Sequence, residues 1–326
     1  MSGTAPETRA AGPVPPARPA YCAPGAVAGR DGRGDVFERH RSTLLSVAYR
    51  ILASSADAED IVQEAWLRWD ATDRTGVEAP RRFLITVVSR LAIDRVRVVT
   101  RRRETYVGPW LPEPVHSATA VLGPAETAAQ RDTLSLATLR LLERLSAPER
   151  AVFVLREAFD LPYAEIAGIL DLTEAGARQL HRRASTRLAA GRPRYTADLA
   201  IHRRLVERFL AAAGSGDRES LQSLLVQDVT LWSDGGGKVR AALRPVSGAD
   251  RVARLLCGIL AKHSAPVLRI IEINGHPGLL VELSGNWHVC SVEVTEAALI
   301  SGVQWMSNPD KLERLLGVDR LARMWL

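Results

Sequence analysis

The chain has 326 residues, of which 46% are hydrophobic and 25% charged, with a net charge of +6. That length holds two or three domains with sizeable cores, and the balance excludes a wholly disordered chain. Three widely separated cysteines, Cys22, Cys257 and Cys290, exclude a disulfide framework and a CxxC zinc site, and no apolar run approaches the ~18 residues of a membrane span.

The N-terminus has no charged-then-apolar signal pattern, so a cytoplasmic location without a membrane partner is expected. Among the 43 basic residues only Lys238, Lys262 and Lys311 are lysine. Arginine bias of this degree reads as GC-rich coding, so it is a weak argument for DNA. The basic balance permits a polyanionic partner without requiring one.

Residues 1–34 are rich in Pro, Gly and Ala and are expected to be a disordered tail, since they cannot bury enough apolar surface to offset ordering. Residues 35–104 read as a helical domain. Phe37, Leu44, Leu45, Ala48, Ile51 and Leu52 recur at helical spacing. After a break at Ala53–Ala56 comes an amphipathic helix, Asp57–Asp70, with Ile61, Val62, Ala65, Trp66 and Trp69 on one side. Asp60, Gln63, Glu64 and Arg68 lie on the other, and Asp57 and Glu59 suit the positive end of the helix dipole. A loop with Gly76 and Pro80 leads to a third helix, Arg81–Val98. It buries Phe83, Leu84, Val87, Val88 and Leu91 and carries Arg90, Arg95 and Arg97, with Arg101–Arg103 following.

Pro109, Pro112, Pro114 and Pro124 make residues 105–127 a semi-extended linker. Residues 128–194 read as a second helical domain. Helices resume over Glu126–Leu145, and Ser146 with Glu149 forms a capping box. Leu161–Arg187 then reads as a helix-turn-helix. Pro162 suits a first turn, Ile166, Ala167 and Leu170 are buried, and Asp171-Leu172-Thr173 is the turn with Thr173 as N-cap. Asp171 stands where glycine is common, and aspartate tolerates left-handed geometry. Ala177, Leu180, Ala184 and Leu188 bury the second helix. Its opposite face shows Glu174, Arg178, Gln179, His181, Arg182 and Ser185, which can reach base edges; Arg183 and Arg187 suit phosphates.

At these residues the chain resembles the extracytoplasmic-function (ECF) sigma factors of RNA polymerase, over roughly residues 35–190. The resemblance implies two all-α sigma domains and no enzymatic activity, cofactor or metal. Its partners are core RNA polymerase (β′ clamp helices and β flap) and promoter DNA. Asp60, Gln63 and Glu64 would face the clamp helices. Arg90, Asp94, Arg95 and Arg97 would lie near the −10 element, with the loop Asp73–Pro80 cradling an extruded base; Asp94 has a rival reading as a salt bridge to a neighbouring arginine. Glu174, Arg178, Gln179, His181 and Arg182 would read −35.

Residues 195–326 change character. A helix over Leu199–Ala213 and another over Gly248–Lys262 accompany strands at Val229–Trp232, Val267–Ile273, Leu279–Leu283, His288–Val294 and Leu299–Trp305. Helices followed by a mostly antiparallel sheet read as an α+β domain. Tyr106–Pro114 (YVGPWLPEP), Asp234–Lys238 (DGGGK) and Asn308–Leu312 (NPDKL) resemble the sigma-J-like group, whose SnoaL-like C-terminal extension is thought to act in cis. Trp110, Pro112, Glu113, Asp234, Lys238, Asn308 and Asp310 are the expected regulatory contacts, and Lys238 and Asp234 could pair with the sigma domains or the linker. DGGGK lacks the spacing of a P-loop. Five residues separate His288 from Glu293, so alternation puts them on opposite faces and argues against an acid–base pair. Trp232, Trp287, Trp305 and Trp325 read as core. Two rival readings are a helix-turn-helix regulator with a ligand-sensing domain, which would not need Asp57–Asp70, and a cyclase or isomerase fused to a DNA-binding module. A ligand of the C-terminal domain cannot be named from the sequence.

Overall fold

The computed structural model describes residues 33–73, 77–103, 105–117, 133–189, 198–263 and 266–323. The expected tail lies outside the described residues except at its end, where the first helix already begins. Residues 74–76 of the loop before Pro80, the second part of the linker, the boundary near Arg192–Thr196 and Trp325 also lie outside them.

Three helices form the first domain: α1 (Arg33–Leu52), α2 (Ser55–Ala71) and α3 (Pro80–Arg103). The break before α2 has a local cause. Ala53 is left-handed at φ 55°, and Ser54 is an extended N-cap whose side chain accepts from the Asp57 amide at 3.2 Å. Pro80 opens α3, where its missing N–H costs nothing. The helix continues five residues past the expected Val98.

The second domain holds α4 (Leu136–Leu142), α5 (Ala147–Glu157), α6 (Tyr163–Leu170) and α7 (Glu174–Ala189). The capping box at Ser146 is present, with the Ser146 amide donating to Glu149 Oε2 at 3.0 Å. Asp171 closes α6 in the left-handed region at φ 56°.

The two helical domains pack on each other. One apolar cluster runs from Phe37 and Leu44 through Trp69 and Val88 to Phe153, Ile166 and Leu188. Two buried arginines cross the seam. Arg50 Nε donates to Thr133 Oγ1 at 3.0 Å. Arg150 donates to the Ile51 carbonyl at 2.9 Å and pairs with Glu143 at 2.8 Å. Burial lowers the Arg150 pKa to about 10, which leaves it charged at neutral pH.

The third domain opens with α8 (Leu199–Ser215) and α9 (Arg218–Ser223). Strands β1 (Leu225–Asp234) and β2 (Val246–Ser247) precede α10 (Ala249–Leu260). Then come β3 (Val267–Ile273), β4 (His276–Leu283), β5 (Asn286–Val294), β6 (Ile300–Met306) and α11 (Pro309–Arg323). The sheet order is β2-β1-β6-β5-β4-β3, antiparallel except for the parallel pair β1–β6. The short elements α9, β2 and α11 go beyond the sequence reading. Both faces of the sheet are covered. Leu279, Val281 and Leu283 pack towards α8–α10, while Leu280 packs in a second cluster with Leu111, Leu136 and Leu315. Double coverage explains the apolar run Leu279-Leu280-Val281, which does not alternate. His288 and Glu293 do lie on opposite faces: His288 packs at a tilt against Trp305 and meets Ser307 Oγ at 2.8 Å, while Glu293 faces the helical domains.

Candidate polymerase- and DNA-binding surfaces

α2 buries Ala58, Ile61, Val62, Ala65 and Trp69 and turns a polar face outward. Asp60 and Gln63 are exposed there, beside Glu64, which pairs with Arg68 at 2.7 Å. Leu67, on the same side, is 63% exposed. The face is thus acidic with one apolar residue, which suits a basic protein groove.

α3 buries Leu84, Ile85, Val88, Leu91, Ala92 and Val96. Of the four residues expected near the −10 element, two are engaged inside the molecule. Arg95 pairs with Asp57 at 3.1 Å, tying α3 to the start of α2. Arg90 Nε donates to the Ile169 carbonyl at 2.9 Å, in the last turn of α6. Arg82 approaches the same turn, since any side chain at Gly168 would collide with its guanidinium. Helix C-termini carry partial negative charge, which explains the attraction. Asp94 and Arg97 pair with each other at 3.0 Å, both well exposed.

The helix-turn-helix has the expected cap, with the Gly176 amide donating to Thr173 Oγ1 at 3.0 Å. Ala177, Ala184 and Leu188 bury α7. Glu174, Arg178, Gln179 and Arg182 are exposed, with Arg178 paired to Glu174 and over the Tyr163 ring. Gln179, Arg182, Arg183, Thr186 and Arg187 line a shallow concavity. His181, expected among the −35 contacts, is partly buried. It stacks on Phe153 and uses both ring nitrogens internally, on Tyr163 Oη and Glu157 Oε1 at 3.0 Å each. Its place beside Ala177 and Ala184 on the helix turns it inward, against the second domain. Arg187 and Arg183 flank Glu149 at 2.6 and 3.9 Å. Although burial opposes it, hydrogen bonds with Ser146 and these arginines hold the Glu149 carboxyl below the usual range.

Comparison with known proteins decides what these surfaces belong to. Residues 36–102 match the family model for sigma-70 region 2, and residues 135–188 that for sigma-70 region 4. The chain is 42% identical over 246 residues to the ECF RNA polymerase sigma factor SigJ of Mycobacterium tuberculosis, covering 74% of this chain and 78% of that protein. It is 31% identical over 281 residues to the probable ECF RNA polymerase sigma factor SigI of the same organism, covering 86% and 94%. The chain belongs to the ECF RNA polymerase sigma factors. The crystal structure of M. tuberculosis SigJ superposes with a TM-score of 0.70 at 35% identity, covering 86% of this chain and 98% of that one. The protein is therefore an alternative sigma factor for transcription initiation, not an enzyme. It binds core RNA polymerase and promoter DNA. No helix among the described residues is long and apolar enough to cross a membrane.

In this sigma factor the first part of the linker, residues 105–117, is held by all three domains. Asp234, fully buried at the end of β1, accepts from Tyr106 Oη at 2.6 Å, the Leu111 amide at 2.9 Å and Lys311 Nζ at 2.7 Å. Lys311 also donates to the Leu111 carbonyl at 2.6 Å and lies 4.1 Å from the Trp110 ring centroid. Asn308 Nδ2 donates to Tyr106 Oη at 2.9 Å. Burial, then the Asp234 carboxylate, push the Tyr106 phenol well above its ordinary pKa, keeping it a donor. Lys238 pairs with Asp310 at 2.7 Å inside the C-terminal domain. Pro112 is buried. Next to it, Glu113 caps α2 from outside: its carboxylate accepts from the Ser55 amide at 2.9 Å and from the Ser54 and Ser55 hydroxyls.

Three further contacts escaped the sequence reading. Asn274, in the β3–β4 turn, touches every part of the molecule (below). Arg140 of α4 inserts between Glu293, 2.8 Å away, and the Trp232 ring, 3.6 Å away. Arg314 of α11 pairs with Glu59 of α2.

Proposed function

We propose that this sigma factor docks on the β′ clamp helices through Asp60, Gln63 and Glu64 and on the β flap through its second domain. In this reading α3 and the loop 73–80 take the −10 element with Arg90, Asp94, Arg95 and Arg97. Glu174, Arg178, Gln179 and Arg182 of α7 read −35, His181 keeping α7 in place. The reaction belongs in the cytoplasm. The C-terminal domain modulates activity in cis by holding the linker and, through it, the spacing of the two reading domains.

The observation that carries this reading is the shared core of the two helical domains, with Arg90 engaged by α6. The −10 and −35 elements lie about 25 base pairs apart, roughly 85 Å along B-DNA. Two domains packed on one core cannot reach both at once, so the closed arrangement is a holding state. Promoter DNA offers Arg90 phosphates in place of one carbonyl. Run-off transcription with core polymerase, comparing the full chain with one ending near Arg194, tests the cis role. A change in activity or promoter choice is expected, and indifference of both to the truncation rejects it.

A further inference from the structure

The start of α2 is covered from two sides. Glu113 of the linker accepts from its first-turn donors, and α11 reaches it through the side chain of Arg314. Lys311, Leu312 and Leu315 fix α11 against the linker and the sheet. One turn along, Arg314 points away from that seat and pairs with Glu59. Glu59 and Asp60 are neighbours, and Gln63 lies one turn on, so Glu59 belongs to the outward acidic face of α2. The Arg314 pKa reflects this: burial works against the charge, but Glu59 and then Glu113 and Asp60 raise it.

We propose that α11 is an intramolecular competitor for the polymerase-docking face. Arg314 occupies the acidic start of α2 as a basic side chain of core polymerase would, so α11 must lift before polymerase seats fully. The inference rests on reading α2 as the docking helix. It adds a named occupant and a consequence: weakening α11 raises polymerase affinity, because a larger fraction of the chain is already competent.

The test measures equilibrium binding of core polymerase to full-length chains, together with backbone hydrogen exchange of α11. The Arg314–Glu59 pair is half-exposed, 43% and 49%. Arg314→Ala is expected to tighten polymerase binding about two- to fivefold, the range of an exposed pair. Arg314→Glu, which adds repulsion from Glu59 and Asp60, is expected to tighten it about tenfold. Arg254→Glu, an exposed arginine paired with Asp250 on α10, serves as control and leaves affinity unchanged. Added polymerase deprotects the α11 amides in the wild-type chain. Unchanged affinity in both Arg314 variants, or α11 protection retained with polymerase bound, overturns the competition while leaving α2 as the docking helix. Weaker binding of Arg314→Ala also overturns it, because Arg314 would then touch polymerase itself. If charge reversal of Asp60 and Glu64 leaves polymerase binding intact, it is the docking reading that fails.

Discussion

Asn274 is the residue on which the closed form turns. It is 1% exposed and left-handed at φ 54°, a conformation asparagine tolerates. Its Nδ2 donates to Tyr49 Oη at 2.7 Å and to the Leu134 carbonyl at 2.9 Å, and its Oδ1 accepts from the Val115 amide at 3.0 Å. One side chain thus joins α1, the linker and the second helical domain to the sheet. Asn274→Gly keeps the backbone geometry and removes only the side chain. It leaves the Val115 amide without a partner, and is expected to lower unfolding free energy by about 1–3 kcal/mol in denaturant melts. A second residue-scale expectation concerns pH. Burial lowers the pKa of His202 and His288 to about 4, so both are neutral in the fold. The unfolded chain takes up these protons near pH 6.5, so stability is full above that pH and falls towards pH 4, by up to roughly 3 kcal/mol per histidine. His202→Phe and His288→Phe are expected to flatten the slope of melting temperature against pH between those limits. None of this was legible beforehand. Asn274-Gly275 forms the two-residue turn between β3 and β4, and nothing local says that the Asn274 side chain serves three other segments.

At the scale of elements, what is amphipathic was readable. α2, α6 and α7 carry their buried stripes in the sequence, and Thr173, Ser146 and Asp171 act as their chemistry predicts. The internal partners of His181 were not readable, because an imidazole on a basic helix face is polar in composition yet aromatic in packing. The contacts that arginines make between domains were hidden, because an arginine is assigned to solvent unless its partner is known. Arg140 is such a case: it and Glu293 are 11% and 7% exposed, and Gln304 also bonds Glu293 at 3.1 Å. Gly302 is required there, because a side chain would meet the Glu293 carboxylate. Removing one partner strands a buried charge. Glu293→Leu is expected to destabilise the docking of α4 on the sheet by about 3–5 kcal/mol, visible as faster proteolysis between the second and third domains. The double variant Glu293→Leu with Arg140→Met is expected to recover most of that loss, since a packed apolar pair replaces the ion pair. If the double variant is no better than the single, the effect is not the stranded arginine.

For the whole molecule the decisive quantity is chain length. Residues 104–132 link α3 to the second helical domain, and fully extended they span about 100 Å, enough for the roughly 85 Å between promoter elements. With residues 105–117 clamped by Asp234, Lys311 and Asn274, only residues 118–132 are left to extend, about 50 Å. Every residue released from the clamp therefore lengthens the tether, and on the cis role proposed above the firmness of the clamp would set how far apart the reading domains can stand. Asp234→Ala is the sharpest probe. It removes the carboxylate from Lys311 and leaves the buried Leu111 amide without its acceptor, a loss of about 3–5 kcal/mol, the size expected for a broken buried charge pair. On templates whose −10 to −35 spacing is changed one base pair at a time, the wild-type chain is expected to show a narrow optimum in run-off transcription. Asp234→Ala is expected to broaden it by transcribing the outer templates, while binding to core polymerase persists. An unchanged optimum in the variant would mean that the clamp governs whether the factor opens but not how far.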